Sequence, residues 1–177
     1  MKARSLLFVP GDRPDRFQKA ASSSAEGLIL DLEDSVAAER KSYARSAVAE
    51  FLGGPLGKPV IVRVNGLDTP NILDDLKLFE TISATGVMLP KAEGAESIRK
   101  LLSIPSASLP PILPVATETP KAIFQLGSYQ DVSEALLGLT WGAEDLPAAI
   151  GATTSRDNSG HLTSPYELVR SLSLFAA

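Results

Sequence analysis

The stretch GLILDLEDS, residues 27–35, joins a run of apolar side chains to a cluster of acids. Gly27–Leu32 is apolar nearly throughout instead of alternating, which is the pattern of a strand covered on both faces of a parallel sheet. Its carboxyl end carries Asp31, Glu33 and Asp34. The same reading applies along the chain to Ser5–Val9, closed by Pro10-Gly11, and to Val60–Val64, Gly86–Leu89, Ile112–Ala116 and Leu136–Thr140. Six strands are therefore expected.

Amphipathic runs separate them. Val36, Tyr43, Ala44, Ala47, Val48, Phe51 and Leu52 form a stripe at helical spacing, with Glu39, Arg40, Lys41 and Arg45 on the other face. Gly53-Gly54-Pro55 ends that helix. Further stripes are Ile72, Leu73, Leu76 and Phe79; Ile98, Leu101 and Leu102; and Ile123, Phe124 and Leu126. The last is Tyr166, Val169, Leu172 and Phe175, with Ser164 expected as N-cap, Pro165 at the first helical position and Glu167 in the first turn. Tyr43 and Phe51 are read as packing residues. Strand–helix alternation of this kind builds right-handed βαβ units on a parallel sheet. Eight such units need more than about 200 residues, and this chain has room for six. An open doubly wound sheet and a barrel without its last two units both fit. The proline-rich stretch Ser103–Pro114 reads as an ordinary loop, and residues 1–177 as a single domain.

Composition narrows the chemistry. The 177 residues carry 17 basic and 21 acidic side chains, for a net charge of −4, without a long Lys/Arg cluster. Neither nucleic acid nor an anionic membrane is an expected partner. There is no cysteine, which removes disulfides, thiolate nucleophiles and Cys-ligated metals, and His161 is the one histidine. His161 lies in the polar loop Ala152–Thr163 and is read as solvated; Trp141 is read as core or pocket wall. Leu6–Val9 is too short for the core of a secretory signal, and no stretch approaches the roughly 20 apolar residues of a membrane span. A soluble, cytoplasmic protein is expected. No G-x-G-x-x-G, P-loop or G-x-S-x-G motif is present.

The carboxyl ends of the runs carry the polar residues: Asp31, Glu33 and Asp34, then Arg63 and Asn65, Lys91, Glu118, and finally Glu144 and Asp145. Any one of these also fits a helix cap or a solvated loop charge. In parallel α/β folds, however, the ligand site lies at that edge, and five consecutive charged ends point to one site. Carboxylates without His or Cys partners suit a hard cation, Mg²⁺ or Mn²⁺, and Glu118 and Asp145 fit that role. Arg63 offers a planar fork of donors for a substrate carboxylate. Lys91, Gly142 and Glu144 are expected on the substrate side.

Six segments carry a resemblance: LLFVPGDRPDRFQKA, LILDLEDSV, VIVRVNGLDTP, GVMLPKAEGAESI, VATETPKAI and LTWGAEDLPAAIG. In order and spacing they resemble the citrate lyase β-subunit-like proteins of the Mg²⁺-dependent HpcH/HpaI aldolase superfamily, from about Arg4 to Phe175. The resemblance implies a (β/α)₈ TIM-type barrel that cleaves or forms a C–C bond between a 2-oxo acid and an acyl-thioester enolate. It implies Mg²⁺ on Glu118 and Asp145, the oxo-acid carboxylate on Arg63, and Asp31 and Glu33 beside the metal and its waters, with Arg63, Glu33 and Asp31 as the catalytic group.

Members of that family run on for roughly a hundred further residues, so the expectation here is the first six βα units of the barrel, with apolar strand edges one and six left facing outward. The expected activity is a carbon–carbon lyase acting on a citryl-, malyl- or citramalyl-CoA-like thioester, or on its carrier-protein equivalent. The alternatives are a malate-synthase-like condensation of acetyl-CoA with an oxo acid, and an incomplete fragment that only binds metal and oxo acid. The family resemblance also implies a homo-oligomer, such as a trimer.

Overall fold

The computed structural model describes residues 3–104 and 108–177; the middle of the expected loop Ser103–Pro114 lies outside them. The chain divides into two compact units, Met1–Met88 with Ile104–Pro111, and Leu89–Ser103 with Ile112–Ala177.

The first unit opens with β1 (Leu6–Pro10), α1 (Phe17–Ala21) and β2 (Gly27–Asp31). It continues with α2 (Lys41–Leu52), β3 (Val60–Arg63), α3 (Ile72–Lys77) and the first three residues of β4 (Gly86–Leu89). All pairings are parallel. Leu6 stands opposite Gly27 and Pro10 opposite Asp31, Leu28 opposite Val60 and Asp31 opposite Arg63, and Ile61 opposite Gly86. β2 is buried along its whole length, as its unbroken apolar run requires. β1 is less covered, and Leu7 and Phe8 are 39% and 49% exposed. Gly11 lies against the end of β2: its N–H donates to the Asp31 carbonyl at 2.8 Å, and a Cβ there would stand 2.7 Å from that oxygen. Only glycine allows this approach.

α2 differs from its expected face. It begins at Lys41, and its buried residues are Lys41, Ala44, Ala47, Val48 and Leu52. Tyr43 is 46% exposed, and the Arg40 guanidinium covers its ring at 4.3 Å. Phe51 does pack, with its ring 5.1 Å from that of Phe17. Lys41, expected in solvent, is buried because its stem turns back from the first position of the helix toward the end of β2.

The second unit holds the end of β4, α4 (Ala95–Ser103), β5 (Ile112–Pro114), α5 (Pro120–Phe124), a 3₁₀ segment over Leu126–Ala135, α6 (Asp145–Ala149) and α7 (Ser164–Ala176). The Val115 N–H donates to the Leu89 carbonyl at 2.8 Å. The sixth expected strand is not formed: Leu136–Thr140 makes only two isolated parallel bridges, Leu136 with Ile112 and Thr140 with Val115. Four steps of chain on one side face three on the other. One extra residue interrupts the ladder as in a bulge.

α7 starts one residue before the expected position, with Thr163 rather than Ser164 as N-cap and Pro165 in its first turn. Tyr166 and Val169 pack with Leu146, and Trp141, Ile123 and Leu162 lie against them. Several residues of the expected stripes point outward instead: Leu73, Leu102, Phe124, Leu172 and Phe175 are exposed. His161 is exposed beside Asp157. Among the described residues no helix is long and apolar enough to cross a membrane.

Candidate active site

In the first unit, β2 and β3 end side by side. Asp31 and Arg63 are register partners on parallel neighbours, so their side chains leave the sheet on the same face. The Asp31 carboxylate accepts from Arg63 Nε at 2.6 Å and from Nη2 at 2.7 Å, a bidentate pair. The same carboxylate accepts the backbone N–H groups of Glu33 (2.9 Å) and Ser35 (3.1 Å). Burial works to raise the Asp31 pKa, but these bonds outweigh it and hold the carboxyl below its usual range. Burial likewise works to lower the Arg63 pKa, and Asp31 more than offsets it, so the guanidinium is firmly charged. Glu33 Oε2 lies 3.1 Å from Arg63 Nη1, and the Phe8 ring lies 5.0 Å from the guanidinium carbon.

Asp31, Glu33 and Arg63 are thus brought together, with a specific division of the guanidinium. Asp31 uses two of its five N–H groups, those along the Nε–Nη2 edge. The Nη1–Nη2 end of the fork is left by Asp31, with Glu33 Oε2 beside Nη1.

In the second unit, Lys91 follows β4 with φ +52°, a left-handed backbone that costs a residue with a Cβ about 1–2 kcal/mol. In that conformation its N–H donates to Glu118 Oε2 at 2.5 Å. Its ammonium stands 3.6 Å from Asp145 Oδ2. Glu118 is buried, whereas Asp145 is partly open. Gly142 is packed against Glu118: a Cβ would meet Val115 Cγ1 at 2.6 Å, Glu118 Cγ at 2.9 Å and Glu118 Oε1 at 3.2 Å. Thr117 fastens these segments, its hydroxyl accepting from Gly142 N at 2.9 Å and donating to Gly142 O at 2.8 Å. Glu144 is exposed at the N-cap of α6.

Thr117 was not singled out by its sequence context. Neither was Tyr129, whose hydroxyl donates to the Ala92 carbonyl and accepts the Gly94 N–H, both at 3.2 Å, closing the loop that follows Lys91.

Among the described residues no group of three or more His, Cys, Asp or Glu side chains is arranged to hold a metal. A pair of carboxylates is nonetheless the donor set that Mg²⁺ uses, since it leaves its other positions to water and substrate. The tight cradle of Gly142 around Glu118 keeps one of these oxygens from being covered by a side chain at position 142. Glu118 and Asp145 fit such an ion.

Comparison with known proteins places the chain among relatives. Residues 4–170 match the family HpcH/HpaI aldolase/citrate lyase. The citrate lyase subunit beta-like protein of Mycobacterium tuberculosis H37Rv is 36% identical over 171 residues, covering 97% of this chain and 59% of that protein. The L-malyl-CoA/beta-methylmalyl-CoA lyase of Cereibacter sphaeroides is 32% identical over 166 residues, covering 86% of this chain and 52% of the enzyme. The crystal structure of M. tuberculosis CitE in complex with magnesium, acetoacetate and coenzyme A superposes with a TM-score of 0.82 at 37% identity, over 99% of this chain and 62% of that one. The chain therefore spans somewhat more than half the length of these curated relatives. The fold is α/β of the TIM-barrel type, with five parallel strands in the described residues. On the match of nearly its whole length, the chain belongs to the HpcH/HpaI aldolase/citrate lyase family.

Proposed function

We propose that this chain carries the metal-binding and oxo-acid-binding groups of a Mg²⁺-dependent carbon–carbon lyase. Its substrate class is a 3-hydroxyacyl thioester of the citryl-, malyl- or citramalyl-CoA kind, split to a 2-oxo acid and an acyl thioester. The observation that carries the proposal is the buried Glu118 carboxylate, seated on the Lys91 amide and against Gly142, with Asp145 as the second hard-oxygen donor of the same unit. The relatives' chemistry supports it: one is a malyl-CoA lyase, and a solved neighbour holds magnesium, acetoacetate and coenzyme A.

In the first unit, Arg63 binds the oxo-acid carboxylate through the end of its fork, while Asp31 on the side edge fixes the plane of the guanidinium. Glu33, at Nη1, sets how much of that end is offered. In the second unit, Glu118 and Asp145 hold Mg²⁺, and the Lys91 ammonium limits the negative charge around Asp145. When bound, Mg²⁺ supplies a Lewis acid for the substrate's oxo or hydroxyl oxygen as the C–C bond breaks. Lys91, Gly142 and the exposed Glu144 are the proposed substrate contacts of this unit. Assembly of several copies and a cytoplasmic location belong to the same proposal.

The test is calorimetric titration of the purified 177-residue chain with oxaloacetate, with and without Mg²⁺. Binding that requires the metal supports the reading. Affinity that is the same in EDTA overturns it.

A further inference from the structure

Among the described residues of the first unit, the buried polar ones are Asp31, Glu33, Lys41, Asn65 and Asp75. Four of them lie on or bond to one short segment, Asp31–Asp34, and the fifth, Asp75, bonds to Asn65. Lys41 Nζ donates to the Leu32 carbonyl at 2.6 Å and to the Glu33 carbonyl at 2.7 Å. Asn65 Nδ2 donates to the Leu32 carbonyl at 2.9 Å and to Asp75 Oδ2 at 2.6 Å. Asp75, fully buried, also accepts the Asn65 backbone N–H at 2.8 Å and Arg45 Nη1 at 2.9 Å. α2, α3 and the end of β3 are thereby tied to two consecutive carbonyls of the acidic segment.

Such a cluster is expensive as a stabilising device, because buried ionic groups rarely outperform well-packed apolar side chains of the same volume. Its charges match: Asp31, Glu33 and Asp75 face Arg63, Lys41 and Arg45. What it fixes is the peptide path that carries Asp31 and Glu33, the two carboxylates on Arg63. We propose that Lys41, Asn65 and Asp75 are positioning residues: they hold the Leu32 and Glu33 carbonyls so that Asp31 and Glu33 present the end of the Arg63 fork to an oxo acid. This rests on the oxo-acid role proposed for Arg63, but its geometric half stands apart from any ligand.

The experiment uses the full chain with Asp75→Asn and Lys41→Met. Asp75→Asn sets an amide NH₂ against donors on either side, since Asn65 and Arg45 both donate there. Lys41→Met keeps the apolar stem and removes only the ammonium, so it serves if the first variant does not fold. Amide hydrogen exchange is followed at Glu33 and Ser35, whose N–H groups bond to Asp31, and at Leu28–Leu30 within β2. Exchange about tenfold or more faster at Glu33 and Ser35, with β2 unchanged, is the local release a positioning role predicts. A uniform rise across the strand, or no change in a folded variant, overturns it. Mg²⁺-dependent oxaloacetate affinity is measured beside it and is expected to fall about tenfold, about 1.4 kcal/mol. Wild-type chain that binds no oxaloacetate overturns the functional reading alone, because the exchange comparison still decides the clamp. Wild-type binding with unaltered affinity in a locally released variant overturns the link between clamp and Arg63.

Discussion

Asp31 and Arg63 end neighbouring parallel strands in register, and the carboxylate of one takes two donors of the other at 2.6 and 2.7 Å. Asp31 is buried and Arg63 partly so, and the pair leaves the Nη1–Nη2 end of the guanidinium outside its bidentate bond. Arg63→Lys keeps the charge but cannot span both Asp31 oxygens while also presenting a second pair of donors. We expect a loss of about 1–3 kcal/mol in unfolding free energy by denaturant titration, together with weaker oxaloacetate binding. A lysine variant that binds as tightly as wild type removes Arg63 from the proposed role.

The same pair gives the stability a pH signature. The folded pKa of Asp31 lies below its unfolded value, so its contribution is complete above the unfolded pKa of about 4 and is lost as pH falls through the folded value. Asp75 has the opposite sign, because burial outweighs its hydrogen bonds and raises its pKa. As pH falls through that raised value toward about 4, Asp75 adds stability. Comparing wild type with Asp31→Asn by denaturant titration at several pH values, the wild-type advantage should be constant near neutrality and shrink below about pH 4. An advantage independent of pH shows that the Asp31 carboxylate is not the source.

Glu118→Gln keeps an acceptor for the Lys91 amide while removing the negative charge, and Asp145→Asn removes the charge facing the Lys91 ammonium at a partly open position. Both variants should fold, with thermal midpoints within a few degrees of wild type. Mg²⁺ affinity by calorimetry should fall at least about tenfold in each, since a hard cation prefers carboxylate to amide oxygen. Unchanged affinity in both variants moves the metal elsewhere.

Gly142→Ala tests the cradle directly. Its Cβ meets Val115 at 2.6 Å and Glu118 at 2.9 Å, and the Thr117 hydroxyl holds the Gly142 backbone so that it cannot retreat. Overpacking of this kind costs about 1–3 kcal/mol. Val115 and Glu118 must both give, so Mg²⁺ affinity should fall along with stability. Loss of stability with full Mg²⁺ affinity would show that Glu118 is not the ligand this glycine accommodates.

Much of this was legible because unbroken apolar runs mark buried parallel strands, and the residues after them line the carboxyl edge. Five of six runs became strands; Asp31 and Arg63 end β2 and β3 and Glu118 follows β5, whereas Asp145 opens α6 after the run that forms no strand. What periodicity does not carry is pairing across the chain. Leu136–Thr140 has the composition of a strand, but one extra residue against Ile112–Val115 breaks its ladder. Tyr43 sits at the edge of the apolar stripe, about 100° around the helix from Ala44, and it is exposed while Ala44, Ala47 and Val48 are buried. Lys41 reads as a surface charge and Asp75 gives no signal of its own, because their partners, two backbone carbonyls for the one and Asn65 and Arg45 for the other, are not local in sequence. Nothing local announces a buried charge whose counterpart is a peptide group.

Lys91 combines two effects that substitution can separate. Its φ of +52° costs any side chain with a Cβ, whereas its ammonium lies 3.6 Å from Asp145. Lys91→Met keeps the backbone penalty and removes the charge; Lys91→Gly removes both. The glycine variant gains by relief of the left-handed conformation, offset by the greater freedom of its unfolded chain. It should be more stable than the methionine variant by about 1 kcal/mol in denaturant titration. In both, loss of the cation beside Asp145 should tighten Mg²⁺ binding, since one competing positive charge is gone. Equal stability of the two variants shows that the backbone at position 91 is unstrained in solution, and weaker Mg²⁺ binding in both assigns the ammonium to holding Asp145 in place for the metal.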